Sequence, residues 1–195
     1  MTAKDKGFDK QAIATTLIGC VQEIFTKTCH LTFSKEPEYV EREIIEYNSR
    51  MRIFGLEKFN GPCYIAVVNF YLNKREYEAK NVQGVMVLYI LEEIIEKLMK
   101  ALNFEGVGSN EEDVESILNG CGEFCNMIAG QFKNALPALG YSDLVISAPS
   151  KYVNDIPDGV EFHYGEYKLY ELSFFLWQIK ALVLDISMAP DPHTR

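Results

Sequence analysis

Glu123 and Asn126, three positions apart in the stretch GEFCNMIAG (residues 122–130), are the residues whose types and spacing best suit an encounter with another molecule. On a helix, residues three apart share one side, so a carboxylate and an amide would face outward together. Gly130 follows one turn after Asn126, and Met127 stands beside it. An interior glycine costs a helix about 1 kcal/mol against alanine, and asparagine is also a poor helix former. Helix stability therefore does not account for this composition. A bare glycine leaves a flat spot where a foreign backbone can approach, and methionine offers an adaptable apolar contact. The plainer alternative is that Gly122 and Gly130 let another helix pack closely while Glu123 and Asn126 are simply solvated.

The surrounding periodicity predicts the helix that carries them. At about 100° per residue, Val114, Ile117, Leu118, Cys121, Cys125, Ile128, Phe132 and Leu136 fall on one stripe facing the core. Glu123 points directly away from it, and Asn126 lies about 60° round on the same outward side. Asn119 and Gly130 are a turn to either side, so Asn119, Met127 and Gly130 complete a candidate partner-binding patch. Ser109 or Asn110 can cap the helix start, with Glu111, Glu112 and Asp113 at the positive end of its dipole, and Pro137 to Gly140 should end it.

Other elements must position this helix. Lys10 to about Thr28 reads as a first amphipathic helix, with Ile13, Leu17, Cys20, Val21 and Ile24 at helical spacing. HLTFS (residues 30–34) reads as a short strand. EYVEREIIEY (residues 38–47) fits strand or helix about equally, and MRIFGLEKF (residues 51–59) is extended or irregular. The β-branched and aromatic run from Cys63 to Leu72 predicts a strand, pairing across a polar connection with a second from Gly84 to Ile90. A second helix follows, carrying Ile94, Ile95, Leu98 and Leu102 on one side. Beyond the Glu123 helix, DLVISAP reads as a strand, NDIPDG as a turn and VEFHYG as a short strand. YKLYELSFFLW and IKALVLDISM supply a long hairpin.

This order predicts an α+β fold, a largely antiparallel sheet with long amphipathic helices packed against one face. A length of 195 residues favours one domain, 1–195, with 36–61 as a possible insertion and 189–195 as a C-terminal tail. Composition, 48% hydrophobic and 24% charged, is that of a folding chain. A net charge of −9 with scattered basic residues gives no footprint for nucleic acid or an anionic membrane. No apolar run approaches the roughly 20 residues that a bilayer span needs, and the expected location is cytoplasmic. The five cysteines match neither a disulfide framework nor a zinc site, and Cys121 and Cys125, though four apart, lie on the apolar stripe. No metal ligands are expected. His30, His163 and His193 form no acid–base constellation.

Residues 115–136, ESILNGCGEFCNMIAGQFKNAL, resemble the signature helix of the CheX and CheC phosphatases of bacterial chemotaxis, where a Glu-x-x-Asn pair precedes a small residue and glycine. Those residues are here Glu123, Asn126, Ala129 and Gly130, and Ser147 and Pro149 match a strand ending in Ser-x-Pro. CheC-type members carry a second Glu-x-x-Asn on the first helix, whereas this chain has Glu23 followed by Thr26, a CheX-like arrangement with one site. The resemblance implies a CheC/CheX-like fold and hydrolysis of the phosphoaspartate of a CheY-like response regulator. Asn126 would orient the attacking water and Glu123 would pair with a regulator lysine. The cofactor would be Mg2+ held by the regulator, with none bound by this chain. A homodimer is implied too. The rival reading is a non-catalytic module that kept the fold and binds a regulator or motor-switch partner, since fold does not establish activity.

Overall fold

The computed structural model describes residues 9–104 and 114–191. Helix α1 (Lys10–Ile24) is capped by Asp9, whose carboxylate accepts from the Gln11 and Ala12 amides, and runs into a π-helical turn at Phe25–Cys29. Then come β1 (Glu38–Glu43), β2 (Glu46–Tyr47), β3 (Arg50–Ile53), α2 (Gly55–Phe59) and β4 (Cys63–Tyr71). Helix α3 (Lys74–Glu78), β5 (Gly84–Leu91) and α4 (Ile95–Ala101) lead to the long α5 (Val114–Ala135). The chain closes with β6 (Val145–Ile146), β7 (Ser150–Val153), β8 (Ile156–Val160), β9 (Lys168–Leu176) and β10 (Ile179–Met188).

The main sheet is antiparallel, in the order β1-β9-β10-β5-β4-β6, with β7 also pairing with β4. Alternate residues of each strand face opposite sides. Ala66, Val68, Met86, Leu88, Leu184 and Phe174 form a core with α1, α4 and α5. Ile65, Val67, Val85, Val87, Tyr89 and Val183 face the other way, against Met51, Ile53, Ile156 and Val160. These last residues belong to a second, three-stranded sheet, β2-β3-β8. The α+β class with the long helices on one face is therefore as expected, and the opposite face carries a lid, with the short α2 beside it, that the sequence did not announce.

That lid is cross-linked to the sheet by charge. From α2, Lys58 Nζ reaches Glu171 Oε2 at 2.7 Å and Asp185 Oδ1 at 2.9 Å, and Tyr89 OH donates to Asp185 Oδ2 at 2.7 Å. Burial pushes the Asp185 carboxyl above its usual range against the pull of Lys58. Burial also works to raise Glu171, but its contacts with Lys58 and Arg42 prevail and hold it low. For Lys58, burial favours loss of the proton and the two carboxylates overcome it, leaving its pKa raised.

Several sequence expectations need correction. HLTFS forms no strand: His30 takes a left-handed conformation, and Phe33 instead plugs the core between Phe25 and Phe174, with ring centroids 4.7 and 5.4 Å apart. The NDIPDG turn is confined to its first residues, since Ile156–Val160 pairs with β3, and of VEFHYG only Val160 lies in a strand. DLVISAP contributes strand only at Val145–Ile146. The polar connection after β4 holds α3, capped by Asn73. The β9–β10 hairpin is present, its two-residue turn made by Trp177 and Gln178, both with positive φ as a tight I′ turn requires. The expected N-cap at Ser109 or Asn110 and the acidic first turn lie outside the described residues. No described helix is long and apolar enough to cross a membrane.

Candidate functional site

Helix α5 lies across the main sheet over β4, with α1 on one flank and β7 on the other. Its anchoring residues are those of the apolar stripe: Ile117, Cys121, Cys125, Ile128, Phe132 and Leu136 are buried. The buried side is wider than the stripe, for Gly120, Gly122, Phe124 and Ala129 are buried as well. Phe124 meets Phe25 edge-on at 5.7 Å between centroids. Val114, counted with the core, is instead exposed at the helix start.

The outward side carries the candidate residues. Glu123 and Asn126 are both exposed and adjacent on one face, with Asn119 exposed a turn earlier and Met127 and Gly130 half-buried alongside. Among the described residues, neither the Glu123 nor the Asn126 side chain has a hydrogen-bond or ion-pair partner. Their polar neighbours do. Asn119 Oδ1 accepts from the Lys151 ammonium. On α1, Glu23 pairs with Lys27 and accepts from Gln131 Nε2 at 2.6 Å, while the Thr26 hydroxyl turns back to Gln22 O at 2.8 Å. A carboxylate and an amide thus stand unengaged inside a frame of groups that are already satisfied.

Two of the helix's three glycines, Gly122 and Gly130, serve different ends. A Cβ at Gly122 would lie 2.9 Å from Lys151 Cδ and 3.7 Å from Pro149 Cβ, so its bareness lets β7 and the preceding loop close on the helix. The register explains this. Lys151 pairs with Ala66, whose side chain faces the helices, so Lys151 projects to that same face. Ser147 ties the approach to β4, its amide donating to Asn69 O at 2.9 Å and its hydroxyl accepting from Asn69 N at 3.0 Å. Around Gly130, in contrast, a Cβ would meet nothing within 4 Å. It borders a shallow hollow between α1 and α5 that Glu23, Asn126, Met127, Gln131 and Asn134 also line.

Lys151 is the site residue that sequence reasoning missed. Thirty-two positions separate it from Asn119, and only the pairing of β7 with β4 brings them together. The nearby Ser-x-Pro segment was visible, but its contact with Gly122 was not. Among the described residues no group of three or more His, Cys, Asp or Glu is placed to hold a metal ion. The cysteines are buried free thiols. Burial raises Cys20, Cys29 and Cys63 to about 11 and Cys121 and Cys125 further, so they provide no ready thiolate.

The fold is CheX/CheC-like. The family described as "Chemotaxis phosphatase CheX" matches residues 78–155, a stretch that contains the whole Glu123 helix together with Ser147, Pro149 and Lys151. No curated protein matches the chain. Among solved structures, the chemotaxis protein CheX from Desulfovibrio desulfuricans is similar at a TM-score of 0.58 and 14% identity, covering 91% of this chain and 99% of that one. The CheX of the CheX-CheY-BeF3-Mg2+ complex from Borrelia burgdorferi gives 0.54 at 15% identity, over 94% and 99% of the two chains. Thermotoga maritima FliY gives 0.56 at 14%, over 97% and 92%. At these identities the structural likenesses concern the fold.

Proposed function

We propose that the protein dephosphorylates a CheY-like response regulator, hydrolysing the acyl phosphate of its phosphorylated aspartate. The observation that carries the reading is the unengaged Glu123–Asn126 pair on the exposed face of a rigidly seated helix, within the stretch that the CheX family model matches and with the spacing of the Glu-x-x-Asn motif it resembles. Transfer of a phosphoryl group to water needs positioning and charge neutralisation rather than a covalent intermediate on the catalyst. The Asn126 amide can accept from a water with its oxygen and donate to phosphoryl oxygen with its nitrogen, fixing the water in line without changing protonation. Glu123 pairs with a lysine of the regulator and sets the depth at which Asn126 enters. The Mg2+ belongs to the regulator, which supplies the oxygen ligands that the ion requires. A complex of a CheX with CheY, BeF3 and Mg2+ in a protein of this fold supports such a partnership.

The test is the loss of phosphate from radiolabelled response regulators of the same cell, with Mg2+, in the presence of the wild type, Asn126→Ala or Glu123→Ala. Loss of the aligned water should lower kcat about 100-fold in Asn126→Ala. Glu123→Ala should act mainly on KM. Binding of a phosphorylated regulator with no acceleration by the wild type would refute catalysis and leave a regulator-binding module.

A further inference from the structure

Two lysines bracket the exposed pair along the helix. Lys151 lies at its N-terminal side, its stem laid over bare Gly122 and its ammonium bonded to Asn119, one turn before Glu123. Lys133 lies seven residues after Asn126, two turns or about 10 Å further on and pointing nearly the same way. It is half-buried near the helix end, and its ammonium forms no hydrogen bond or ion pair with a described residue. Lys27, the other cation close by, is already neutralised by Glu23.

We propose that Lys151 and Lys133 form a cationic bracket that captures the anionic face of the phosphorylated regulator, governing association rather than the chemical step. This rests on the phosphatase reading for the identity of the partner. That partner's face is anionic on balance, because a phosphoaspartate carries about two negative charges and each metal-holding carboxylate about one more, against about two positive charges on the Mg2+ and one on the lysine. A chain of net charge −9 would repel such a face. Charges more than about 8 Å from the contact are largely screened at physiological salt, so the sign of the residues beside Glu123 and Asn126 decides the encounter. Preordering matters as well. Lys151 is held across the helix before the partner arrives, so less side-chain entropy is lost on binding. The arrangement also divides labour: Glu123 takes the partner's cation and the lysines take its anions, which fixes orientation as well as attraction.

Each lysine has a purely structural alternative, Lys133 at the negative end of the helix dipole and Lys151 as packing over Gly122. Replacement by methionine separates charge from packing, because Lys151→Met keeps a stem against Gly122 and Pro149. The experiment measures dephosphorylation by the wild type, each single variant and the Lys151→Met/Lys133→Met double variant from low to high NaCl. The expected result is an unchanged kcat in all, and at low salt a kcat/KM about 10-fold lower in the double variant. The gap should close as salt rises, since only the wild type has the attraction to lose. Equal salt slopes for wild type and double variant, or a deficit that persists at high salt, would overturn the proposal. Parallel titrations with the regulator, with and without BeF3 and Mg2+, keep the two readings apart. Lysine-dependent, salt-sensitive binding without turnover sinks catalysis and leaves the bracket standing. Turnover indifferent to both lysines sinks the bracket alone, and absence of any binding sinks both.

Discussion

Gly130 offers a prediction in which stability and function move in opposite directions. Substitution by alanine adds a methyl group with no heavy atom within 4 Å, so no neighbour has to shift. The position is interior to α5, five residues before its last residue, where alanine is favoured over glycine by about 0.8–1.0 kcal/mol. For a chain of this size, 1 kcal/mol moves Tm by about 2–4 °C. Gly130→Ala should therefore melt about 2–4 °C higher. If the bare position exists so that a regulator backbone can approach beside Asn126, the same variant should show a raised KM with kcat little changed, and Gly130→Leu a larger rise. Gly55→Ala is the internal control: its Cβ would fall 2.2 Å from Asn154 O, a backbone atom that cannot swing aside, so it should lose about 1–3 kcal/mol through overpacking. Thermal melts and regulator dephosphorylation of the three variants decide the matter. A Gly130→Ala protein that melts higher and works as well as the wild type would show that the glycine is not reserved for a partner.

Two further outcomes concern the rest of the molecule. Lys58→Met strands two carboxylates, Asp185 and Glu171, in a largely dry setting, and breaking a buried pair in this way costs about 3–5 kcal/mol. Without its lysine, Asp185 titrates still higher in the folded state than in the unfolded chain, so its contribution is kept below the unfolded value and lost as pH rises through the folded one. Urea unfolding should accordingly show a deficit that is small near pH ~4 and full at pH ~7–8; a deficit independent of pH would disprove this account. The thiols should resist an aromatic disulfide reagent in the native protein at pH ~8, where a thiol of pKa about 11 is only about a thousandth ionised. All five should react in urea, and rapid modification of one thiol without denaturant would contradict the burial described.

What could be read from the sequence was whatever burial had written into it as a pattern. The runs of β4 and β5 are apolar on both faces because both faces are covered, and the stripe of α5 is apolar because one side rests on the sheet. Where burial is absent the pattern is absent too. Every residue of β1 is exposed, so EYVERE has no period that distinguishes strand from helix, and only its pairing with β9 decides it. In β8 the residues Pro157, Asp158 and Gly159 read as a turn, yet they sit at the edge of the small sheet, where proline need not donate and Gly159 takes a positive φ against Met51 O.

The candidate site divides along the same line. Asn126 and Gly130 were legible because they contradict what an exposed helix face ordinarily carries, and Glu123 through its spacing of three from Asn126. Lys151 was not, because a lysine on an edge strand is ordinary until the strand's register is known. A slip of one residue between β7 and β4 would turn Lys151 to the other face of the sheet and bring Tyr152 or Ser150 over Gly122. Tyr152 now packs into the opposite core, under the small sheet, and so helps hold that register. The lid on one face of the sheet therefore helps determine which charge stands beside Glu123 on the other, and a substitution in the lid far from α5 would reach the site by way of the register of β7.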